Sequence, residues 1–271
     1  MRLGSLGGET RLVGLLGYPV SHSLSPLMQN AAFAARALDW TYVALPVEPT
    51  RLEAAVGGLA ALGFAGANVT IPHKRAAVAF CDELDPVAER SGSVNTLVIR
   101  DGRVRGSSTD GLAVTGALNA KGADALVLGA GGGAQAVATA LLDAGVASLT
   151  VAARSEESSG ALAARLRALF PESDVAVAEG WPPPPGRATL LVNATPLRGE
   201  VVVDPTGLQA VVDLAYNPDG SATALVEAAR DAGCETVDGL EVLVRQGAAS
   251  FEAWTGLPAP DDVMRSALRR A

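Results

Sequence analysis

The chain has 271 residues, 49% hydrophobic content, 30 glycines and a formal net charge of −8. Its length and apolar content suffice for one large or two modest globular domains, and its acidic balance disfavours nucleic acid or an anionic membrane surface as the main partner, since both demand a basic face. Met1 to Thr10 lacks an apolar segment of signal-peptide length and no apolar stretch of about eighteen residues exists to span a bilayer, so a soluble, cytoplasmic protein is expected.

Short apolar runs alternate with Ala/Leu-rich segments of helical length in both halves, the pattern of a parallel sheet covered by helices. The first half predicts strands at Leu12–Gly17, Tyr42–Leu45 and Gly66–Val69, and helices at Pro26–Leu38 and Arg51–Leu62. Ser25 reads as the N-cap of the first helix with Pro26 at its first position, and Thr50-Arg51-Leu52-Glu53 has the spacing of a capping box for the second. A strand pair, Asn95–Ile99 and Val104–Gly106, flanks the hairpin signal Asp101-Gly102. A helix from Gly111 to Ala120 then leads into a second series, with strands at Ala125–Leu128, Leu149–Ala152, Val175–Ala178, Thr189–Val192, Val211–Leu214 and Glu235–Val237. The four consecutive prolines of Trp181–Gly186 predict a stiff extended connection on the surface. Cys81 and Cys234 lie far apart and only two histidines are present, which favours reduced thiols and no metal centre.

In the first half, the run Ser21-His22-Ser23-Leu24-Ser25-Pro26 places the hydroxyls of Ser23 and Ser25 at a helix start, an arrangement that suits a carboxylate. The alternative is that Ser25 caps its own helix and nothing more. Asn68, Thr70, Asn95, Thr109 and Asp110 fall at the ends of predicted strands, where open α/β sheets place ligands, and together they suit a small polyhydroxylated substrate. Lys74 closes the run Asn68-Val69-Thr70-Ile71-Pro72-His73-Lys74 in a chain with two lysines against nineteen arginines. Arginine stays charged in a protein, whereas lysine can release a proton and take it back, so Lys74 reads as a proton-transfer residue or else as an ordinary surface lysine. Asp110 either caps the helix it opens or orients the Lys74 ammonium and shares its proton.

In the second half, Gly129-Ala130-Gly131-Gly132-Gly133-Ala134 stands between a predicted strand and a predicted helix. Glycines there permit a tight turn and a close approach of backbone to a diphosphate, and the helix N-terminus faces the anion, which is the reading for a Rossmann-type dinucleotide site. The next strand ends at the position where an NAD site places a carboxylate on the ribose and an NADP site places an arginine on the phosphate. Arg154 stands there, so NADP is expected; Glu156 and Glu157 follow and would oppose the phosphate, which keeps NAD as the alternative.

With these motifs in order, the chain resembles the shikimate dehydrogenase family over nearly its whole length. The resemblance rests on Ser23-Leu24-Ser25-Pro26, Asn68-Val69-Thr70 through Lys74, Val94-Asn95-Thr96, Thr109-Asp110-Gly111, Gly129 to Ala134, Asn193 to Pro196, Asp213 with Tyr216-Asn217-Pro218, and Gly239 through Gln246. It implies an α/β enzyme with an N-terminal substrate-binding catalytic domain (1–110), a Rossmann NADP-binding domain (111–238) and C-terminal helices (239–271) that pack back on the substrate domain. The implied reaction is the reversible, NADPH-dependent reduction of 3-dehydroshikimate to shikimate, a step toward chorismate and the aromatic amino acids. The resemblance implies Lys74 and Asp110 as the catalytic pair. It implies Ser23, Ser25, Asn68, Thr70, Asn95, Tyr216 and Gln246 on the substrate, and Gly129, Ala130, Gly131, Gly132, Gly133, Arg154, Leu214 and Gly239 on the cofactor. A monomer or homodimer is expected, acting on shikimate and 3-dehydroshikimate, with quinate as a further substrate to consider.

Some positions depart from that pattern. Gln29 stands where a histidine is common, Ser108 where asparagine is usual, Arg198-Gly199-Glu200 where Gly-Met is expected, and Val242 where methionine is frequent; the segment between Pro218 and Thr223 is two residues longer than usual, and the second basic residue after Arg154 is missing. Two alternatives follow: an NAD-dependent quinate/shikimate dehydrogenase, and, more distantly, a catalytically silent ligand-binding relative.

Overall fold

The structure is a computed structural model in which residues 7–269 are described. The first six residues of the segment read for a targeting signal, and the last two residues of the C-terminal segment, lie outside that range. The chain forms two compact units, one comprising the residues up to Thr109 together with those from Leu243 onward, the other Asp110–Val242.

The first unit is built on β1 (Arg11–Gly17), α1 (Ser25–Ala35), β2 (Trp40–Pro46), α2 (Leu52–Ala61), β3 (Gly66–Val69), β4 (Glu83–Leu84), α3 (Pro86–Ser91), β5 (Thr96–Arg100) and β6 (Arg103–Ser107). Among the described residues its sheet runs in the order β2-β1-β3-β5-β6-β4. The β2, β1 and β3 strands are parallel, as the general pattern predicts, while β5 runs antiparallel to β6 across the expected hairpin and antiparallel to β3 as well. The turn at Asp101-Gly102 accounts for the β5–β6 pair: both residues adopt positive φ, 52° and 74°, and a two-residue link of that kind can only return the chain antiparallel.

Two capping expectations also fail. The α1 helix begins one residue early, with Leu24 at its N-cap already in helical geometry, so Ser25 lies inside the helix and caps nothing there; Pro26 keeps its place in the first turn. Ahead of α2 a 3-10 turn over Pro49–Arg51 carries the chain into the helix, Arg51 takes the N-cap position, and Thr50 makes no capping hydrogen bond. Pro49 starts the turn early because its fixed φ suits a first helical position. The short β4 and α3 carried no period long enough to be read; α3 is capped by Asp85, whose carboxylate accepts from the Ala88 amide at 2.6 Å.

The second unit contains α4 (Asp110–Thr115), β7 (Asp124–Leu128), α5 (Gly132–Asp143), β8 (Ser148–Ala152), α6 (Glu156–Leu169), β9 (Asp174–Val177), β10 (Leu190–Asn193), β11 (Ala210–Asp213), α7 (Ala224–Asp231) and β12 (Glu235–Val237). The α4 helix stops at Thr115, before Gly116, well short of its expected end at Ala120. The sheet is parallel throughout, in the order β12-β11-β10-β7-β8-β9. This is the doubly wound order whose direction reverses beside β7, and ligands in such sheets bind outside the strand ends at that reversal. Its core packs Val127, Leu149, Val151, Leu190 and Val192 against Ala134, Val137, Ala138 and Leu141 of α5. Trp181–Gly186 forms an irregular connection, although Trp181 itself packs on the core beneath it.

The chain ends in α8 (Gly239–Thr255) and α9 (Asp261–Leu268). Within the first unit, Phe251 stacks on Phe33 of α1 with centroids 5.5 Å apart, and the Trp254 indole donates to the Leu97 carbonyl at 2.9 Å. Gly66 lies beneath that indole, where a Cβ would collide with both Trp254 and the Leu97 carbonyl. Both cysteines are free thiols; burial, and then the adjacent Asp82, push Cys81 up to about 11. No described helix is long and apolar enough to cross a membrane.

Candidate active site

In the first unit the candidate residues gather at one end of the sheet, after β1 and β3 and just before β5. The loop that follows β3 is tied down by backbone bonds: the Thr70 amide donates to Leu16, Tyr18 to Ile71 and His73 to Thr70, at 2.8, 3.0 and 2.8 Å. His73 is 1% exposed and its Nε2 meets the Val47 carbonyl at 2.7 Å. A carbonyl only accepts, so that nitrogen carries the proton. Next in the chain, partly buried Lys74 accepts at its own carbonyl from the Val94 amide at 2.8 Å. The proton-transfer candidate therefore sits on a braced turn whose far anchor is the residue preceding Asn95.

Asn95 is the centre of a buried amide cluster. Its Nδ2 donates to Thr109 Oγ1 at 2.8 Å and to Gln246 Oε1 at 3.4 Å, while its Oδ1 accepts from the Thr109 amide at 2.9 Å. Gln246 is held in turn by its Nε2, which donates to the Leu243 carbonyl at 2.8 Å. Asn68 is more enclosed: it accepts from the Tyr42 hydroxyl at 2.9 Å and donates to the Asn95 carbonyl and Ser250 Oγ at 3.0 and 2.9 Å. At the start of α1, Ser23 Oγ accepts from the Ser25 amide at 3.3 Å, so Ser23 serves the helix start that had been assigned to Ser25. Ser23, Thr70, Lys74 and Gln246 keep partial exposure, while Ser25, Asn68 and Asn95 are buried.

In the second unit, Asp110 opens α4 and is 4% exposed. Its neighbour Gly111 lets α4 lie directly on α5, where a Cβ would stand 2.6 Å from both the Ala136 carbonyl and Ala140. Between β7 and α5, Gly129 takes φ +112° with its Cβ position 3.1 Å from the Ala194 carbonyl. Gly131 is the N-cap of α5, which has no side-chain cap and no acidic residue in its first turn. Open amides, the helix dipole and an unobstructed surface at Gly131 fit a diphosphate. Leu214 borders this loop, 3.8 Å from the Cβ position of Gly133. Arg154 is exposed just after β8, and Ser155 behind it caps α6 by accepting from the Ser158 amide at 3.1 Å. Glu156 and Glu157 occupy the first turn of α6, where carboxylates complement the dipole. Gly239 opens α8 pressed against Ala215 and Tyr216.

The Asn193 and Asp213 motifs have a structural role. Asn193 Nδ2 donates to Asp213 at 2.9 Å, and the Ala215 amide and Thr223 hydroxyl donate to the same carboxylate at 2.9 and 2.6 Å. These bonds tie the ends of β10 and β11 to the start of α7. Burial, only partly offset by the three donors, pushes the Asp213 carboxyl up to about 6. Reading by residue type passed over His73, Thr96 and Ser250, which hold the site residues in place; the signal for His73 was its position directly before Lys74. The described residues hold no group of three or more His, Cys, Asp or Glu able to bind a metal.

Residues 15–97 match the family model for the shikimate dehydrogenase substrate binding domain, and residues 239–269 match that for the shikimate 5'-dehydrogenase C-terminal domain. A shikimate dehydrogenase (NADP(+)) of Moorella thermoacetica is 45% identical, over 97% of this chain and 94% of its own. The structure of shikimate 5-dehydrogenase from Thermus thermophilus in complex with NADP(H) and shikimate superposes with a TM-score of 0.80 at 34% identity, covering 96% of this chain and 99% of that one. Quinate dehydrogenase from Corynebacterium glutamicum in complex with NAD superposes with a TM-score of 0.84 at 30% identity, covering 97% and 99%.

Proposed function

The chain belongs to the shikimate dehydrogenase family, and we propose that its reaction is the reversible, NADPH-dependent reduction of 3-dehydroshikimate to shikimate. The observation that carries the substrate side is the amide and hydroxyl cluster of Asn95, Thr109 and Gln246 beside the braced turn of Lys74. Such a cluster offers both donors and acceptors, as ring hydroxyls require. Ser23 and Ser25 hold the carboxylate at the start of α1, and Thr70, Asn95, Gln246 and Tyr216 hold the hydroxyls. Asn68, enclosed by protein partners, contributes by fixing Asn95. Lys74 gives its proton to the ring oxygen during reduction and removes it during oxidation, and Asp110 is the carboxylate that orients the ammonium.

The second unit holds the cofactor. The Gly129–Gly133 amides take the diphosphate, Arg154 takes the ribose phosphate, and Leu214 and Gly239 border the nicotinamide. NADPH, when bound, supplies the hydride. In this reading, Tyr216 and Gly239 apart, the residues up to 110 and those from 239 onward serve the substrate, and residues 111–238 the cofactor.

Turnover measured with NADP+ and NAD+, each against shikimate and quinate, tests the proposal. It expects kcat/KM to be highest for NADP+ with shikimate; no turnover of shikimate with either carrier would refute it. The specific observation favouring a second reading, an NAD-dependent quinate/shikimate dehydrogenase, is the pair Glu156 and Glu157 beside Arg154. A higher kcat/KM with NAD+ would select that reading.

A further inference from the structure

We propose that Ser250 is a positioning residue for the substrate-binding amides, acting through a directional chain of buried hydrogen bonds that starts at Tyr42. This rests on the functional reading above and deepens it. Ser250, on α8, is 0% exposed. Its hydroxyl accepts from Asn68 Nδ2 at 2.9 Å, meets Thr96 Oγ1 at 2.7 Å and donates to the Gln246 carbonyl at 3.0 Å.

The protons of this cluster follow one order. Tyr42 has a single hydroxyl proton and donates it to Asn68 Oδ1 at 2.9 Å, which turns the two amide hydrogens of Asn68 toward the Asn95 carbonyl and Ser250. Because Ser250 spends its proton on the Gln246 carbonyl, Thr96 supplies the proton of the 2.7 Å contact. That leaves Asn95 Oδ1 to the Thr109 amide at 2.9 Å, with the Thr109 hydroxyl and its single proton 3.2 Å from both Asn95 Oδ1 and the Gln246 carbonyl, and keeps Asn95 Nδ2 aimed at Thr109 and Gln246. Removing the Ser250 hydroxyl frees the Thr96 proton to turn to Asn95 Oδ1, 3.2 Å away. It also unpins α8 one turn from Gln246. The contact between Gln246 and Asn95, already long at 3.4 Å, is the first to open.

In Ser250→Ala the Asn68 amide still reaches Thr96 Oγ1 at 3.3 Å and the Gln246 carbonyl still faces the Thr109 hydroxyl at 3.2 Å, so the variant should fold; what it loses is orientation. The test compares wild type, Ser250→Ala, Thr96→Val, the double variant and the hydroxyl-preserving Thr96→Ser, by KM for shikimate and for NADP+, kcat, Tm and calorimetric Kd for shikimate alone. Expected is a rise in KM and Kd for shikimate of about five- to twentyfold in Ser250→Ala and Thr96→Val. KM for NADP+ should stay within about twofold, the double variant should be less than additive, and Thr96→Ser should resemble wild type. Unchanged shikimate affinity in Ser250→Ala overturns the proposal. A loss falling equally on shikimate and NADP+ together with a lower Tm also overturns it, because a residue that only packs would behave so. A wild type that does not turn over shikimate would sink the functional reading and this inference with it, whereas an active wild type with native-like variants sinks this inference alone.

Discussion

The imidazole of His73 donates to the carbonyl of Val47 at 2.7 Å and so fastens the turn that ends in Lys74 to the residue after β2. The ring is almost fully buried, and Val47 is itself held by its amide to the Gly17 carbonyl at 2.9 Å. Replacing His73 by alanine removes the bond and leaves an unfilled space, a cost of about 1–3 kcal/mol. Displacement of the neighbouring Lys74 should lower kcat by about 10- to 100-fold. Thermal unfolding and steady-state rates check both; native kcat in a destabilised variant would mean that backbone bonds alone place Lys74.

Lys74→Ala and Lys74→Arg should both lose about 10²- to 10⁴-fold in kcat. The arginine variant is the sharper test, since it keeps the positive charge but cannot release a proton near neutral pH. If Lys74 served only to attract the substrate, Lys74→Arg would retain most of its rate. Asp110→Asn should lower kcat with little change in shikimate affinity, read by calorimetry beside the kinetics.

The two series of strands were legible in the sequence because the apolar runs were short and bounded, and the glycine-rich loop between β7 and α5 because its glycines follow a strand directly. What escaped reading depends on partners distant in sequence. Asn68 and Ser250 are 182 positions apart, and no local pattern announces their bond. Ser25 was misplaced as a cap because Leu24 has already entered the helical region, a backbone choice that residue type does not reveal. The antiparallel pairing of β5 with β6 was legible from the Asp101-Gly102 turn, whereas the antiparallel pairing of β5 with β3 has no local signal.

Gly131 and Gly239 separate cofactor contact from fold. Among the described residues, nothing beyond its immediate chain neighbours lies within 4 Å of a Cβ at Gly131, and its φ is −80°. Gly131→Ala should cost no more than about 1 kcal/mol, the difference between glycine and alanine at a helix N-cap, while raising KM for NADP+, since only an approaching diphosphate would meet the new methyl. At Gly239 a Cβ would run into the Ala215 carbonyl, with its carbon 2.6 Å away. Backbone cannot yield cheaply there, so Gly239→Ala should cost about 1–3 kcal/mol or more and lower Tm by several degrees. Equal stability of the two variants would contradict the packing described for the start of α8.

Asp213 predicts a pH dependence of stability. Its carboxyl rises from 3.8 unfolded to about 6 folded, chiefly through burial. Below 3.8 the group is protonated in both states. As pH climbs toward 6 the folded state keeps a proton that the unfolded state has lost, so stability falls; above 6 the penalty levels off at about 3 kcal/mol. Asp213→Asn cannot ionise. The difference in unfolding free energy between variant and wild type should therefore shift in the variant's favour from pH 4 to pH 6 and stay constant above that. A difference independent of pH would show that the three donors hold the carboxylate charged throughout.

The proposed placement of the ribose phosphate at Arg154 predicts that this residue and the glutamates behind it set the choice of carrier. Arg154 is exposed with Glu156 and Glu157 in the adjoining first turn of α6, so a ribose phosphate there meets one cation and two anions. Arg154→Ala should raise KM for NADP+ by about tenfold or more, the value of a charge-assisted hydrogen bond, and leave KM for NAD+ nearly unchanged. The effect should shrink as salt rises, because an exposed pair is screened. Replacing both glutamates by glutamine should act in the opposite direction, lowering KM for NADP+, at a cost of about 0.3–1 kcal/mol each from the lost interaction with the helix dipole. Measured together at two ionic strengths, these variants decide whether the preference for NADP resides at this turn; an Arg154→Ala variant that loses NADP+ and NAD+ equally would place it elsewhere.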